Sequence, residues 1–443
     1  MIEGRGLDFN ITSLNNRGNV ILSIISSNLK SSPELFSIIL SNETVLSGCV
    51  KPSQKYFPEE ERSKQPTLFS LVRAIRDLFS CSQTDQLGLY GSFGYDLTFQ
   101  FEPINLAKAR SDEQRDLVLF LPDEILVVDI QKNDSWRVSY DFEYASRSTK
   151  NLERTVSESL YKHSAADFEK RDNAKGKYAL SVLKAKDEFK VGNLFEVVLS
   201  QVFREQLKVL PSVVFRRLCR RNPSPYGFFM NLGREEYLIG ASPEMFVRVE
   251  NTTKGVRVET CPISGTIERG ETPLEDAQQI KKLLSNPKEE SELTMCTDVD
   301  RNDKSRICIP GSVQVLGRRQ IELYSRLIHT VDHVEGYLRD DFDALDAFMC
   351  HTWAVTVTGA PKTWAIRFIE NFEPSPRYWY GGAVGHVGFD GSMNTGLTLR
   401  TIRVHRGIAE VRAGATLLHD RYFFLKQTCL DCSIFSYYLL FAI

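Results

Sequence analysis

The chain has 443 residues, of which 42% are hydrophobic and 25% are charged, and this composition is typical of a soluble globular protein. Its 55 basic and 57 acidic residues leave a net charge of −2 and are interleaved along the chain, so the sequence offers no basic face for a nucleic acid. The length favours two or three domains, although one large α/β domain can also reach this size.

The N-terminal region, residues 1–150, alternates short apolar runs with a helical stretch. The runs 19–25 and 124–130 have the length of strands, whereas residues 68–79 carry apolar side chains at helical spacing. This pattern predicts a sheet with attached helices. The glycines of "DQLGLYGSFGYD" lack the context of a dinucleotide-binding loop, and we interpret them as tight turns between strands.

The beginning of the chain carries charged residues and lacks the apolar core of a secretory signal, which predicts a cytoplasmic protein. Its nine cysteines are an odd number, and the C-x-x-C pair Cys429 and Cys432 has no second pair beside it. Reduced thiols are therefore favoured over disulfides or a metal site. The apolar stretch 433–443 is shorter than a membrane-spanning helix, so no membrane contact is expected.

The second half of the chain opens with a predicted helix at 178–191 and a predicted buried strand, "GNLFEVVLSQVF", at 192–203. Glu196 lies inside this apolar run. A charged carboxylate without a partner is costly to bury, so the chain must hold Glu196 for a reason.

A further helix is predicted after Pro287, and it places Glu289 and Glu292 on one face because they lie three residues apart. Paired carboxylates beside a cleft are oxygen ligands of the kind that Mg²⁺ takes. On this motif alone, a solvated acidic helix face is the alternative.

Two later motifs predict an anion site. Thr358, Gly359 and Pro361 precede a helix whose first N–H groups could face an anion. A hairpin with Asp390-Gly391 at its tip is then predicted to carry Arg400 and Arg403 on its second strand, with Arg400 on the face of Ile402. If that face is the inner one, Arg400 binds a carboxylate or phosphate. A metal ion and an anion-binding site together suit a small substrate with several carboxylates.

Six motifs occur in order along the chain: "ETCPISGTIERG", "ELTMCTDVDRND", "YSRLIHTVDHVEG", "TVTGAPK", "YGGAVGHVGFDG" and "GLTLRTIR". The series resembles the chorismate-utilising enzymes. It is most similar to anthranilate synthase component I of the type usually fused to a glutamine amidotransferase, and it is close to the aminodeoxyisochorismate synthase of phenazine pathways. The resemblance runs from about residue 4 to residue 420.

The resemblance implies an α/β (α+β) sandwich of mixed, mainly antiparallel sheets with outer helices. Residues 1–150 would form the N-terminal component I region, truncated at its start. Residues 176–420 would form the chorismate-binding catalytic region, and residues 421–443 an atypical apolar tail. The implied reaction converts chorismate and ammonia to anthranilate and pyruvate in tryptophan biosynthesis, with ammonia supplied by a glutamine amidotransferase.

The resemblance also implies the residues that bind the substrate. They comprise a glycine-threonine pair at the ring carboxylate, a tyrosine and an arginine at the enolpyruvyl carboxylate, and three residues that offer backbone N–H groups. In this order they are Gly265, Thr266, Tyr380, Arg400, Gly414, Ala415 and Thr416.

Two carboxylates take catalytic roles by the same resemblance. Glu196 stands where family members that add water have a lysine, so it favours attack by ammonia, whose proton a carboxylate can accept. Glu244 would protonate the departing C4 hydroxyl, which requires a raised pKa.

The remaining implied roles concern the metal and the second half of the reaction. Glu292 would ligate Mg²⁺, and Glu289 would act through water. His329 would assist the loss of pyruvate, and Thr356 would orient the substrate. Two alternatives remain open, an aminodeoxyisochorismate synthase that stops before pyruvate loss and a non-catalytic relic of the family.

The chain departs from its family at both ends. The position of a second metal-ligating glutamate holds Cys429, in a tail whose sole carboxylate is Asp431. The resemblance further implies that an early segment lining a tryptophan pocket in the family would be missing, and that "NPSPYG" would retain three residues of that pocket, Pro225, Tyr226 and Gly227. We therefore expect weak Mg²⁺ binding and slow turnover of chorismate.

The tail can be tested by replacing residues 421–443 with an acidic helix that carries glutamate at position 429. Ligand changes commonly alter metal affinity or activity by about 10–100-fold, and we expect the replacement to raise Mg²⁺ affinity by this amount. Calorimetry with chorismate present measures it. Tight Mg²⁺ binding by the unaltered chain would contradict the expectation.

Overall fold

The structure is a computed structural model that describes residues 1–84, 86–155, 161–162, 167–174 and 176–419. Cys429, Asp431 and the rest of the predicted apolar tail lie outside the described residues. No helix in the described ranges is long and apolar enough to cross a membrane.

The described residues form eight α-helices: α1 Asn16–Lys30, α2 Leu68–Leu78, α3 Lys177–Lys190, α4 Pro211–Arg221, α5 Pro273–Leu284, α6 Pro287–Ser305, α7 Ala344–His351 and α8 Lys362–Phe372. Three short 3₁₀ helices are Glu59–Lys64, Tyr95–Gln100 and Val355–Val357. The helices predicted at 68–79, at 178–191 and after Pro287 are confirmed as α2, α3 and α6.

The strands of the first part of the chain are β1 Ile2–Arg5, β2 Asp8–Thr12, β3 Phe36–Ser41, β4 Val45–Val50, β5 Gly88–Phe93, β6 Leu117–Phe120, β7 Glu124–Asp129, β8 Asp134–Ser139, β9 Glu143–Tyr144 and β10 Arg147–Ser148. Those of the second part are β11 Glu196–Gln206, β12 Tyr226–Asn231, β13 Glu236–Ser242, β14 Met245–Thr252, β15 Gly255–Thr260, β16 Ile263–Glu268, β17 Gln314–Leu323, β18 Leu327–Tyr337, β19 Gly359–Ala360, β20 Ala383–Gly388, β21 Met393–Leu397, β22 Thr401–His405 and β23 Ile408–Leu418.

Two sheets dominate the fold. A 13-stranded sheet has the order β16-β18-β15-β14-β21-β20-β5-β6-β1-β2-β4-β3, with β17 also paired to β18, and a six-stranded sheet has the order β12-β13-β22-β23-β11-β19. In both sheets the paired strands of the described residues run antiparallel, from β1 with β2 to β22 with β23. Strands from residues 1–150 and from residues 176–420 share the larger sheet, since β5 pairs with β20.

The two sheets meet through a shared buried cluster. Val118 on β6 and Val384 on β20 pack there with Phe228 on β12 and Leu238 on β13. Buried residues of α1, α2 and α7 join the core of the larger sheet, whereas α3, α8 and α4 cover the smaller one. This arrangement confirms the predicted sandwich with outer helices.

The apolar run 19–25 forms part of α1 and not a strand, so its prediction was wrong. Asn15 caps the helix by accepting a hydrogen bond from the Gly18 N–H. Ile21 and Ile25 lie one helical turn apart, and both are buried. A short apolar run fits a buried helix face as well as a strand, and the cap decides between them here. The run 124–130 does form a strand, β7.

The predicted tight turns at "DQLGLYGSFGYD" were also wrong, because Gly88 and Gly91 lie inside β5. A Cβ atom on Gly91 would lie 2.0 Å from the Val118 carbonyl oxygen, and one on Gly88 would lie 2.3 Å from the Val387 oxygen. The two glycines therefore let β5 approach β6 and β20 closely.

The hairpin β20–β21 turns at Asp390-Gly391 as predicted, with Gly391 at a φ of 89°. Its second strand ends at Leu397, however, and the chain then crosses to the smaller sheet. Arg400 lies in this crossing at a φ of 49°, and Arg403 lies on β22 of the smaller sheet. The prediction that both arginines belong to the hairpin was therefore wrong.

Gly91→Ala should destabilise the protein by about 1–3 kcal/mol, the usual cost of overpacking a core. Chemical denaturation measures this loss. Gly227→Ala is the matched control, since only the Ser224 oxygen lies within 4 Å of a Cβ there, at 3.9 Å. Equal stability of the two variants would contradict the role given to Gly91.

Candidate active site

A cavity of about 300 Å³ lies between β11 and β23 of the smaller sheet and β16, β18 and α6 on the other side. This volume suits a small ligand. The cavity is lined by eleven of the residues predicted for the site: Glu196, Glu244, Gly265, Thr266, Glu292, His329, Thr356, Tyr380, Arg400, Gly414 and Thr416.

His329 is buried on β18 and faces Thr266 on β16, with which it pairs in register. Arg400 Nη2 lies 2.9 Å from His329 Nε2, and because a guanidinium can only donate, Nε2 accepts. Nδ1 therefore carries the proton and donates to Thr266 Oγ1 at 3.0 Å. Burial, with the nearby charge of Arg400, lowers the pKa of His329 to about 3, so the imidazole is neutral at pH 7.

Arg400 places its guanidinium at the cavity wall although its backbone lies in the left-handed region. Its guanidinium carbon lies 5.8 Å from the centre of the Tyr324 ring. Burial lowers the pKa of Arg400 to about 10, which leaves it charged at neutral pH. A buried cation of this kind is suited to bind a carboxylate.

Glu244 follows the end of β13 and is buried at 4% exposure. Thr356, in the 3₁₀ helix Val355–Val357, donates to Glu244 Oε1 at 2.9 Å. Burial raises the pKa of Glu244 to about 8, and the Thr356 hydroxyl opposes this rise. The side chain is therefore mostly protonated at pH 7 and can donate a proton into the cavity.

Glu196 is the first residue of β11 and is 1% exposed. Its backbone pairs with Ala360 on one side and Leu418 on the other. Gly359 has a φ of 127°, and a Cβ atom there would lie 2.1 Å from the Glu196 carbonyl oxygen. The glycine of "TVTGAPK" thus positions the strand that carries Glu196.

The predicted anion site at the start of α8 does not form part of the cavity. Thr358, Gly359 and Pro361 are absent from its lining, and Thr358 Oγ1 donates to the Ala354 carbonyl oxygen at 2.9 Å. Sequence spacing revealed the helix start correctly, but it could not show that β19 turns these residues toward β11.

Gly265 sits in a β-bulge between Ser264 and Thr266. Its φ is 79°, and a Cβ atom would lie 2.5 Å from Thr330 Oγ1. Only glycine fits this bulge without strain. The bulge sets the side chain of Thr266 opposite His329.

Gly414 and Thr416 on β23 line the cavity, whereas the Ala415 side chain packs against the core beneath α3 and α8. Alternation along the strand separates them in this way. In the described residues β22 pairs with β23 only up to Val411. Alternate N–H groups of the stretch 412–418 therefore point away from β11.

Glu292 on α6 is 6% exposed and lines the cavity. Glu289 lies outside the lining and pairs with Lys288 Nζ at 3.0 Å. Among the residues described, no group of three or more His, Cys, Asp or Glu side chains could hold a metal ion. Glu292 fits a Mg²⁺ ion that draws its other ligands from water and substrate, because Mg²⁺ often takes only one or two protein carboxylates.

Sequence reasoning missed a buried ionic cluster behind the cavity. Arg412 lines the cavity and donates to Glu373 at 3.0 Å and to Ser200 Oγ at 3.1 Å. Arg377 donates to both Glu373 oxygens, at 2.6 and 3.0 Å. Burial alone would raise the pKa of Glu373, but the two arginines lower it overall. The arginine of "RAGAT", at an inward strand position, is the signal that could have revealed this cluster.

Pro225, Tyr226 and Gly227 lie outside the cavity lining, at the start of β12. The Tyr226 hydroxyl donates to Asn394 Oδ1 on β21 at 3.0 Å. A Cβ atom on Gly396 would lie 2.5 Å from the Tyr226 ring. Tyr226 therefore joins the two sheets, and its assignment to a tryptophan pocket stays a prediction.

Residues 32–420 match the family of chorismate binding enzymes. The chain belongs to this family. It is 53% identical over 419 residues to anthranilate synthase of Azospirillum brasilense, which covers 95% of this chain and 56% of that protein. It is 37% identical over 355 residues to anthranilate synthase component 1 of Acetivibrio thermocellus, covering 75% and 70% of the two chains.

Solved structures agree with the family assignment. Anthranilate synthase component I from Streptococcus pneumoniae TIGR4 matches with a TM-score of 0.69 at 29% identity, over 90% of this chain and 88% of that chain. The menaquinone-specific isochorismate synthase MenF from Escherichia coli matches with a TM-score of 0.65 at 16% identity, over 99% and 95% of the chains, and this likeness concerns the fold alone. The chain spans little more than half the length of its Azospirillum relative.

The pKa of Glu244 can be tested directly. Thr356→Val removes the hydroxyl that lowers this pKa, so the pKa should rise further above about 8. Infrared difference spectroscopy of the carboxylic acid band measures the titration. Thr401→Val is the control, because the Thr401 hydroxyl donates to the Leu399 oxygen instead. A pKa that stays unchanged in Thr356→Val would argue against the contact.

Proposed function

We propose that this chorismate binding enzyme converts chorismate and ammonia to anthranilate and pyruvate. The observation that carries the proposal is one cavity in which a protonated Glu244 and a buried Arg400–His329 pair lie together with the Glu196 carboxylate. The reaction needs an acid, a cation that binds a substrate carboxylate and a proton acceptor, and these residues supply them. The identity to anthranilate synthases supports the assignment.

The amination step uses the two carboxylates. Ammonia attacks C2 of the ring, the double bond shifts, and the C4 hydroxyl leaves as water with the proton of Glu244. Glu196 accepts the surplus proton of the attacking nitrogen. Arg400 binds the enolpyruvyl carboxylate beside Tyr380, which also lines the cavity.

Pyruvate loss follows on the same bound ring. Arg400 donates to His329 Nε2 in the structure. When Arg400 turns to a substrate carboxylate, Nε2 of the neutral imidazole becomes available to accept the C2 proton while the C3–O bond breaks. The enolpyruvate that leaves takes up a proton at its methylene carbon and becomes pyruvate. Its Nδ1–H remains fixed by Thr266, so the acceptor nitrogen stays aimed at the cavity.

Mg²⁺ is the proposed cofactor, with Glu292 as its protein ligand and Glu289 acting through water. Bound there, the ion would neutralise the ring carboxylate and orient the ring. The residues Gly265 and Thr266 would contact the same end of the substrate.

We further propose that a glutamine amidotransferase supplies the ammonia, as the component 1 names of the relatives suggest. The seven cysteines of the described residues are free of disulfides, which suits a reducing cytoplasm.

The function is tested by incubating the protein with chorismate, Mg²⁺ and ammonium and by following anthranilate fluorescence. Anthranilate formation supports the proposal. Accumulation of a non-fluorescent aminated product, identified by mass spectrometry, would instead assign an aminodeoxyisochorismate synthase. Unchanged chorismate would contradict both activities and favour a relic.

The pH dependence of turnover should follow Glu244. Its pKa of about 8 lies above the ordinary glutamate value, so the acid form is present below pH 8 and is lost as the pH rises. We expect kcat to fall above about pH 8. Glu244→Gln should lower kcat by about 10²–10⁴-fold, the usual contribution of a general acid, and should remove this limb of the profile.

Glu196→Lys tests the choice of nucleophile. The substitution replaces an anionic proton acceptor, suited to an attacking nitrogen that becomes positively charged, with an amine, so amination should fall by about 10²-fold or more. We expect some isochorismate from attack by water. Chromatography of the products measures both. Glu205→Lys, at the partly exposed end of the same strand, is the control and should aminate normally. Unchanged amination by Glu196→Lys would refute the role.

A further inference from the structure

A second, smaller cavity lies directly behind Glu244. It has a volume of about 30 Å³. Glu244, Thr356 and Cys296 line both this cavity and the substrate cavity, so these three residues form the wall between them. The far side of the small cavity is formed by polar side chains that include Asp303 on α6 and Lys362 on α8.

The small cavity suits water. One water needs about 10–15 Å³ and two to four polar partners, and the cavity offers both. Glu244 thus borders both the substrate cavity and this polar chamber.

Lys362 connects the chamber with the surface. Its Nζ donates to Asp303 and, at 2.9 Å, to the His351 carbonyl oxygen, and an ammonium has a third N–H for a water. The side chain is 15% exposed, so bulk water can reach it. Asp303 is 9% exposed and also pairs with Arg306 at 2.8 Å, which holds the carboxylate in place.

The other basic side chains around the chamber, His351 and Lys304, already make hydrogen bonds to other groups. His351 uses Nδ1 on the Ala347 carbonyl oxygen at 2.7 Å, and its Nε2 accepts from Lys304 at 3.3 Å. Lys304 is fully buried and also donates to Thr260 and to Asp300. These contacts occupy the three N–H groups of Lys304 and both nitrogens of His351.

Building on the proposed function, we propose that a water in this chamber returns a proton from Lys362 to Glu244 during each turnover. Glu244 gives its O–H proton to the C4 hydroxyl, which leaves as water. The chamber water then gives a proton to the Glu244 carboxylate and takes one from Lys362 Nζ. The neutral amine of Lys362 regains a proton from bulk solvent. The route avoids the substrate cavity, which the ring fills until pyruvate and product depart.

Lys362→Arg tests the relay, because arginine keeps the positive charge and the pairing with Asp303 but cannot release a proton in a protein. We expect kcat to fall by about 10²-fold, the lower end of the usual contribution of a group that transfers a proton. The ratio kcat/KM should stay close to that of the parent, because proton return follows the first committed step. Imidazole buffer, a small proton donor, should restore kcat in proportion to its concentration.

Lys64→Arg is the matched control, since Lys64 pairs with Asp341 at 2.8 Å and neither residue lines the chamber. The kinetics of this variant should be unchanged. Thermal unfolding shows whether each variant is folded. If Lys362→Arg keeps the parental kcat, or loses kcat and kcat/KM equally without rescue by imidazole, the relay is wrong. An inactive parent would instead refute the proposed function.

A second measurement does not depend on folding of a variant. A high-resolution crystal structure of the unaltered protein should show a water within hydrogen-bond distance of both Lys362 Nζ and the Glu244 carboxyl group. A dry chamber would overturn the relay even if the enzyme is active.

Discussion

The buried carboxylate of Glu373 holds the candidate site together. It accepts hydrogen bonds from Arg377, from Arg412 and from the Ser200 backbone N–H at 2.7 Å. Arg377 in turn donates to the Val357 carbonyl oxygen at 2.6 Å. One carboxylate thereby ties β11, β23 and the 3₁₀ helix of Thr356 to each other. Removing one partner of such a buried network commonly costs about 3–5 kcal/mol.

The buried carboxyl groups of Glu373 and Glu244 differ in ionisation at neutral pH. Two arginines keep Glu373 ionised despite its burial. Burial prevails at Glu244 and raises its pKa to about 8, although hydrogen bonds from Thr356 and from the Ile263 backbone and the charge of Arg400 act against the rise. A structural carboxylate and an acid catalyst are thus distinguished by their neighbours. The ionic cluster fixes the 3₁₀ helix, and the 3₁₀ helix carries the Thr356 hydroxyl that moderates Glu244.

Local patterns predicted much of the fold and of the site. The pattern after Pro287 predicted α6 and the position of Glu292 on one of its faces. The apolar run around Glu196 predicted β11. The sequence could not show where the chain changes sheets, which depends on pairing between distant strands. For this reason the sequence pattern wrongly predicts Arg400 on a hairpin strand and Gly359 in an anion site. The roles of Glu196, His329 and Thr356 came from family resemblance, because a lone residue carries no such signal.

The pairing of β5 with β20 also has a consequence for how the protein forms during synthesis. Gly88 lies opposite Gly388, so the centre of the larger sheet needs residues from both ends of the chain. On the ribosome, β5 and β6 emerge long before their neighbour exists, and the sheet can close only late. The edge of β5 that faces β20 therefore has no strand partner until most of the chain has been made.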